Sequence, residues 1–354
     1  MLVAKSSPGS TTDAVRPGKR LRALDGLRAI SIAAVLLGHL SGTRGFPKLE
    51  LEPVAGDYAN LGVVMFFVIS GFLITTLLLE EYQQFGGISL RLFYARRVLR
   101  LFPAFLLFIV FLMTIQQLGA IRLNPSDLLS AMTYTVNFRQ GSSWYIGHLW
   151  SLSVEEQFYL LWPAVLVVAG YRRAVWVAGA MILISPVARL FAVQHHLPGS
   201  IFPCVADSLA CGCLLALCGD RLRLQVWYTR LIASPYFVPA TVIVILLCSR
   251  LRVYLVGIVF GVCVINILMS AIVHRCVLMR SKMSDFLAAP VLVGVGVLSY
   301  SLYLWQQFFL NRTASWVICQ FPLNIVLAML AASASYYLVE RPLNGFRKNL
   351  RRER

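Results

Sequence analysis

Six ionisable side chains in this sequence have types and spacings that could do chemistry inside an otherwise apolar chain. Arg28 and His39 are eleven residues apart, and eleven helical steps of about 100° return to within about 20° of the start. Both therefore lie on one helix face, about 16 Å apart along the axis. An imidazole so placed has the chemistry of a general base, and a guanidinium that of a grip for an anion. Arg97 and Arg100 are i and i+3 neighbours, a pairing that lets two guanidinium forks converge on phosphate. Glu155 and Glu156 are adjacent carboxylates at the head of an apolar stretch, pointing about 100° apart, so one of them is expected to face a bundle interior. Each group also has a simpler account. Arg28 can snorkel to a membrane surface, a carboxylate can sit in the first turn of a helix for its dipole, and Arg97 with Arg100 can anchor to lipid headgroups. His148, at the mouth of the Glu155 segment, is expected to be an interfacial histidine.

The elements that position these groups are set by composition. Of 354 residues, 58% are apolar or aromatic and 13% are charged, against roughly 25% charged in a soluble domain. Disorder, collagen and a soluble enzyme are excluded on that ground. The excess of 32 Lys and Arg over 15 Asp and Glu, +17 in all, would suit a nucleic-acid binder if gathered on one face. Instead the cations fall between long uncharged runs, so membrane lipids are the expected surroundings and nucleic acid is not an expected partner. Leu61 to Leu79, Leu101 to Ile121, Leu231 to Ser249, Val253 to Val273, Phe286 to Asn311 and Thr313 to Val339 are long enough to cross a bilayer core, which takes about 20 helical residues. Weaker runs begin near Ala29, Gln157, Ala174 and Ile201. The fold expected is an all-α polytopic membrane protein with about ten transmembrane helices in one bundle.

Orientation follows from where Lys and Arg sit, because positive loops stay in the cytoplasm. With ten spans, 23 of the 32 fall on the side of the N-terminus and 7 on the other, so both termini are expected in the cytoplasm. The segment 1–20 reads as a flexible basic tail ahead of an uncleaved first helix, 21–342 as the membrane domain and 343–354 as a second basic tail, with no soluble domain appended. The eight cysteines are expected to be packing residues, since no pair has zinc-like spacing with a histidine, and no metal is expected.

Several fragments, taken in order, resemble the membrane-bound acyltransferase-3 family. They are Leu24-Asp25-Gly26-Leu27-Arg28 with its interval to His39, Phe66 to Ile74, the Tyr-x-Arg-Arg-x-x-Arg stretch from Tyr94 to Arg100, Trp150 to Tyr159, Ser299 to Trp305, and Glu340-Arg341-Pro342. The resemblance implies O-acyl transfer in a bacterial inner membrane, with acyl-CoA, most commonly acetyl-CoA, as co-substrate and no permanently bound cofactor. The acceptor it implies is a hydroxyl of a carbohydrate: a cell-surface polysaccharide, a lipid-linked glycan or a glycosylated metabolite. It also implies that His39 is the catalytic histidine, Arg28 its motif partner, Glu155 an essential acid, and Arg97 with Arg100 the donor-side pair. Two positions depart from the family pattern. Gln306 stands where members commonly have histidine, and Val205 stands where many have arginine before Asp207, so the resemblance gives no role to Gln306 and a weak one to Asp207.

On this view acyl-CoA enters from the cytoplasm, Arg97, Arg100 and Arg28 hold its phosphates, and an extended pantetheine spans the roughly 16 Å to His39. Glu155 is expected at the level of His39, where it would orient the imidazole. Direct attack and an acyl-histidine intermediate are both open. The alternative is a transporter or flippase of a glycan or lipid-linked sugar, in which the same polar groups line a path.

Overall fold

The computed structural model describes residues 17–47, 55–251 and 254–349. All regular structure among them is helical. In chain order the helices are α1 (Pro17–Leu40), α2 (Ala55–Phe85), α3 (Leu90–Gln117), α4 (Pro125–Met132), α5 (Trp144–Gly147), α6 (Leu149–Gln194), α7 (Phe202–Arg223), α8 (Val226–Ala233), α9 (Phe237–Arg250), α10 (Val262–Leu278), α11 (Lys282–Leu287), α12 (Pro290–Phe309), α13 (Leu323–Ser335) and α14 (Arg341–Asn349). The protein is an all-α polytopic membrane protein.

Among the described residues, eight continuous helical stretches are long and apolar enough to cross a membrane, and α8 with α9, bent by 84°, makes a ninth. That count is below the ten expected from sequence. The difference lies in Trp144–Gln194, a stretch of 51 residues, which is about 76 Å of helix against a hydrocarbon core of about 30 Å. It breaks at Gly170, whose φ of 71° and ψ of 163° suit glycine alone. Divided there, each half is long enough to cross, and the count returns to ten. Helix extends into both expected tails. Pro17 to Arg20, expected in a flexible tail, form the first turn of α1, where proline's fixed φ suits a helix start. At the other end α14 carries helix through residue 349. Residues 1–16 and 350–354 of the expected tails lie outside the described residues.

α1 packs along α2 and α12, and α7 along α2 and α6. A Cβ at Gly296 would lie 1.9 Å from the Asp25 carbonyl oxygen, so glycine there lets the α12 backbone press on α1. That close approach sets the register in which Gln306 of α12 meets His39 of α1. Phe105, Phe108 and Leu112 of α3 close the core against Phe158 and Trp162 of α6 and Trp305 and Phe308 of α12. Lipid supplies no hydrophobic drive for such contacts, so packing and interhelical hydrogen bonds must hold them, the latter averaging about 0.6 kcal/mol each. Trp162 donates to Thr75 Oγ1 at 2.8 Å, Tyr300 to the Leu101 carbonyl at 2.8 Å and Tyr94 to the Leu160 carbonyl at 2.9 Å.

Candidate active site

Five helices build a cavity around the basic residues, with Ser70 and its neighbours on α2 forming one wall. Arg28 comes from α1, Arg97 and Arg100 from successive turns of α3, Glu155 from α6, and Tyr300 and Tyr303 from α12, enclosing about 850 Å³, part of it open to the surroundings. The i, i+3 spacing puts Arg97 and Arg100 on one face of α3. Arg96 falls on another and is committed elsewhere, bonding Glu81 at 3.0 Å while that carboxylate accepts from the Ser89 amide ahead of α3. The Arg97 guanidinium lies over the Tyr159 ring, 4.0 Å from its centroid, which fixes the direction of its fork. Arg28 is 3.9 Å from Asp25 on its own helix. Ser70 donates to Glu155 Oε1 at 2.7 Å, and the cations whose fields reach Glu155 are Arg97, Arg28 and Arg100. Three guanidiniums lining one open space, with Glu155 in its wall and Asp25 beside Arg28, form a site for a strongly anionic ligand such as phosphate.

His39 does not line this cavity. Its Nδ1 lies 2.8 Å from Gln306 Oε1, and its ring meets Trp144 edge-on with centroids 5.8 Å apart. Arg312, in the segment after α12, donates to the Gly38 carbonyl at 2.5 Å and to the His39 carbonyl at 3.4 Å. A cation thus caps the carbonyl end of α1 and holds the backbone that carries the imidazole. Between the cavity and His39 lies a layer made by Tyr303, Ser151 and His148. Tyr303 donates to the His148 carbonyl at 2.8 Å, and its hydroxyl is 2.6 Å from Ser151 Oγ. Tyr303 precedes Gln306 by one helical turn, about 4.5 Å, so the cavity ends about one turn short of the imidazole's partner.

The structure brings Arg28, Arg97, Arg100 and Glu155 together and holds His39 apart from them. This corrects the expected level of Glu155. Helix begins at Trp144, not just ahead of Glu155, because Trp144, Tyr145 and Ile146 form a first turn that the sequence pattern does not announce. Trp144 packs on His39, and Glu155 is eleven residues farther, about 16 Å along the axis. Glu155 therefore does not orient His39. His148 is corrected too: it is 4% exposed, with Phe108 edge-on to its ring and Tyr303 tilted against it, buried where an interfacial position was expected. Glu156, turned away from its neighbour, faces a separate groove between α3 and α6.

A second polar centre unites two residues that the sequence marks only singly. Arg189 of α6 donates to Asp207 of α7 at 2.9 Å and to the Cys204 carbonyl at 2.8 Å; the two side chains are 8% and 1% exposed. Opposite charges inside a membrane are expected to find each other, which was the available signal. Arg189 supplies, from the neighbouring helix, the guanidinium that Val205 does not. Removing one partner of such a pair strands a buried charge. Arg189→Met is expected to lower unfolding stability by about 3–5 kcal/mol, and Arg189→Met with Asp207→Leu by clearly less. Thermal unfolding in detergent checks this, and equal losses in the single and double variants would refute a paired burial.

Residues 21–340, which include every group described above, match the acyltransferase domain of the acyltransferase-3 family. The O-acetyltransferase OatA of Staphylococcus aureus strain NCTC 8325 is 29% identical over 369 residues, covering 92% of this chain and 58% of that protein. A protein of Staphylococcus aureus strain COL, provisionally named an O-acetyltransferase, is 30% identical over 361 residues, covering 92% and 57%. The chain thus spans just over half the length of the curated relatives it matches. No solved structure matches it.

Proposed function

We propose, from the premise that this chain belongs to the acyltransferase-3 family, that it is an O-acyltransferase moving an acyl group, acetyl in the first instance, from acyl-CoA to a carbohydrate hydroxyl. The observation that carries this is the division of labour along α1: guanidiniums grouped around a cavity at the Arg28 end, and a tethered imidazole about 16 Å away at the His39 end. Arg97, Arg100 and Arg28 hold the phosphates of the donor, and the pantetheine arm runs past Tyr303 toward His39. Glu155, itself held by Ser70, serves the donor end by offsetting part of the charge of the cations that share its cavity.

At the far end the acceptor hydroxyl attacks the thioester carbonyl. His39 takes the hydroxyl proton as the C–O bond forms, and the C–S bond then breaks with its electron pair on sulfur. The proton passes from the imidazole to the thiolate, giving CoA and the ester. The acceptor is a hydroxyl of a surface polysaccharide, a lipid-linked glycan or a glycosylated metabolite, a choice that rests on the sequence resemblance and on relatives named for O-acetyl transfer. A bacterial inner membrane with both termini in the cytoplasm fits this arrangement, since the Arg28 end then faces the cytosolic donor pool.

The test is turnover by the purified full chain in lipid nanodiscs with acetyl-labelled acetyl-CoA and a panel of glycans. Free CoA is expected to appear in step with base-labile label on the acceptor. Acceptor-independent CoA release, or movement of intact glycan across a vesicle membrane without acetylation, would replace this proposal with a thioesterase or a transporter.

A further inference from the structure

The hydrogen bond joining His39 to Gln306 is one end of a chain whose direction is fixed at the other end. Gln307 Nε2 donates to the backbone carbonyl of Trp144 at 2.8 Å, and a carbonyl oxygen can only accept. The amide oxygen of Gln307 is therefore turned to Gln306, from whose Nε2 it accepts at 3.2 Å. That commits Gln306 Oε1 to its remaining neighbour, His39 Nδ1, at 2.8 Å. An unprotonated amide oxygen does not donate, so Nδ1 carries the proton and Nε2 keeps its lone pair. The indole Nε1 of Trp144 returns a bond to the Gln307 carbonyl at 2.7 Å, which locks the anchor in place. Gln306 and Gln307 are 0% and 4% exposed, so bulk water does not compete for these bonds.

We propose that Gln306 and Gln307 are positioning residues that hold His39 in its Nδ1–H tautomer and present Nε2 as the base. This rests on His39 being the general base of the transfer proposed above. Gln306 takes the place of the carboxylate that orients histidine in acyl-transfer triads, with one chemical difference. An amide oxygen fixes the ring and its tautomer but takes up no proton and carries no charge. The proton gained from the acceptor hydroxyl therefore stays on Nε2 until the same nitrogen returns it to the departing thiolate.

The experiment is nitrogen-15 spectroscopy of histidine-labelled full-length protein in nanodiscs, where the ring nitrogen shifts separate the two neutral tautomers. The chain has five histidines, and His39 is assigned by the signal lost in His39→Gln. Wild-type His39 is expected as Nδ1–H. Gln306→Leu should populate Nε2–H and lower kcat about 10²-fold, the scale of a misoriented catalytic group, with KM for acetyl-CoA unchanged. Gln306→Glu keeps an accepting oxygen at the same place, and should restore the Nδ1–H tautomer and recover at least about a tenth of the wild-type kcat. Gln307→Met, which leaves the His39 partner in place but frees its amide to turn, should give a mixture of tautomers and a smaller loss. Unchanged signals from the other four histidines mark a native fold.

A wild-type His39 found as Nε2–H, or Gln306→Leu and Gln307→Met with wild-type tautomer and kcat, would overturn the proposal. The two levels of inference fail separately. Activity surviving in His39→Gln removes the base while the tautomer result stands, and an inactive His39→Gln with a tautomer indifferent to Gln306 removes only the relay.

Discussion

His39→Gln is expected to bind acyl-CoA as the wild type does and to lose about 10²–10⁴-fold in kcat, the range that general-base catalysis supplies. Glutamine suits this test because its side-chain amide can still donate to Gln306 Oε1, so the buried acceptor keeps a partner and the α1–α12 contact survives. What the variant cannot do is accept a proton from the acceptor hydroxyl. KM for acyl-CoA should stay within about twofold, since position 39 does not line the cavity that holds the guanidiniums and Arg28 lies about 16 Å from that position along α1. Steady-state kinetics on protein matched for folded fraction checks both numbers. Retention of more than about a tenth of wild-type kcat would remove His39 from the proton transfer. A parallel rise in KM for acyl-CoA would instead mean that the two ends of α1 are not independent.

The main elements are visible in the sequence because charge is scarce. Runs without Lys, Arg, Asp or Glu mark the spans, and the interval from Arg28 to His39 predicts one helix face from angle alone. The pairing of Arg97 with Arg100, and its separation from Arg96, likewise follows from helical spacing. What lies beyond such local rules is which face of one helix meets which face of another. Gln306 is 267 residues from its partner, and nothing in its spacing points to His39. A signal was present, since two adjacent amides stand in the largely apolar, uncharged α12 and polar groups at membrane depth are functional candidates. Glu155 shows the opposite error. Its residue type was informative, but its depth depended on where α6 begins, and helix starts without a capping pattern are poorly marked. Arg189 and Asp207 were each conspicuous, and only the packing of α7 on α6 joined them.

Arg97→Ala combined with Arg100→Ala should raise KM for acyl-CoA about 10²–10⁴-fold while KM for the acceptor stays within about twofold. A hydrogen bond to a charged group contributes about 1.5–3 kcal/mol, and each 1.4 kcal/mol is tenfold, so two lost grips give that range with Arg28 still in place. Arg97→Lys should fall between, because lysine keeps the charge but has neither the fork nor the flat face that lies over Tyr159. Arg96→Ala is the control: its partner is Glu81, outside the cavity, and donor KM should not move. Removing two cations also leaves Glu155 less well balanced, so a loss of fold could imitate a loss of grip. Adding Glu155→Gln to the double variant relieves that imbalance and should recover stability without recovering donor affinity. The sharper discriminator is acetyl-pantetheine, a thioester lacking the adenosine phosphates. Wild type and double variant should use it with similar KM, because the groups removed have nothing to hold. If the variant is as impaired with acetyl-pantetheine as with acetyl-CoA, these arginines shape the helix bundle and do not bind phosphate.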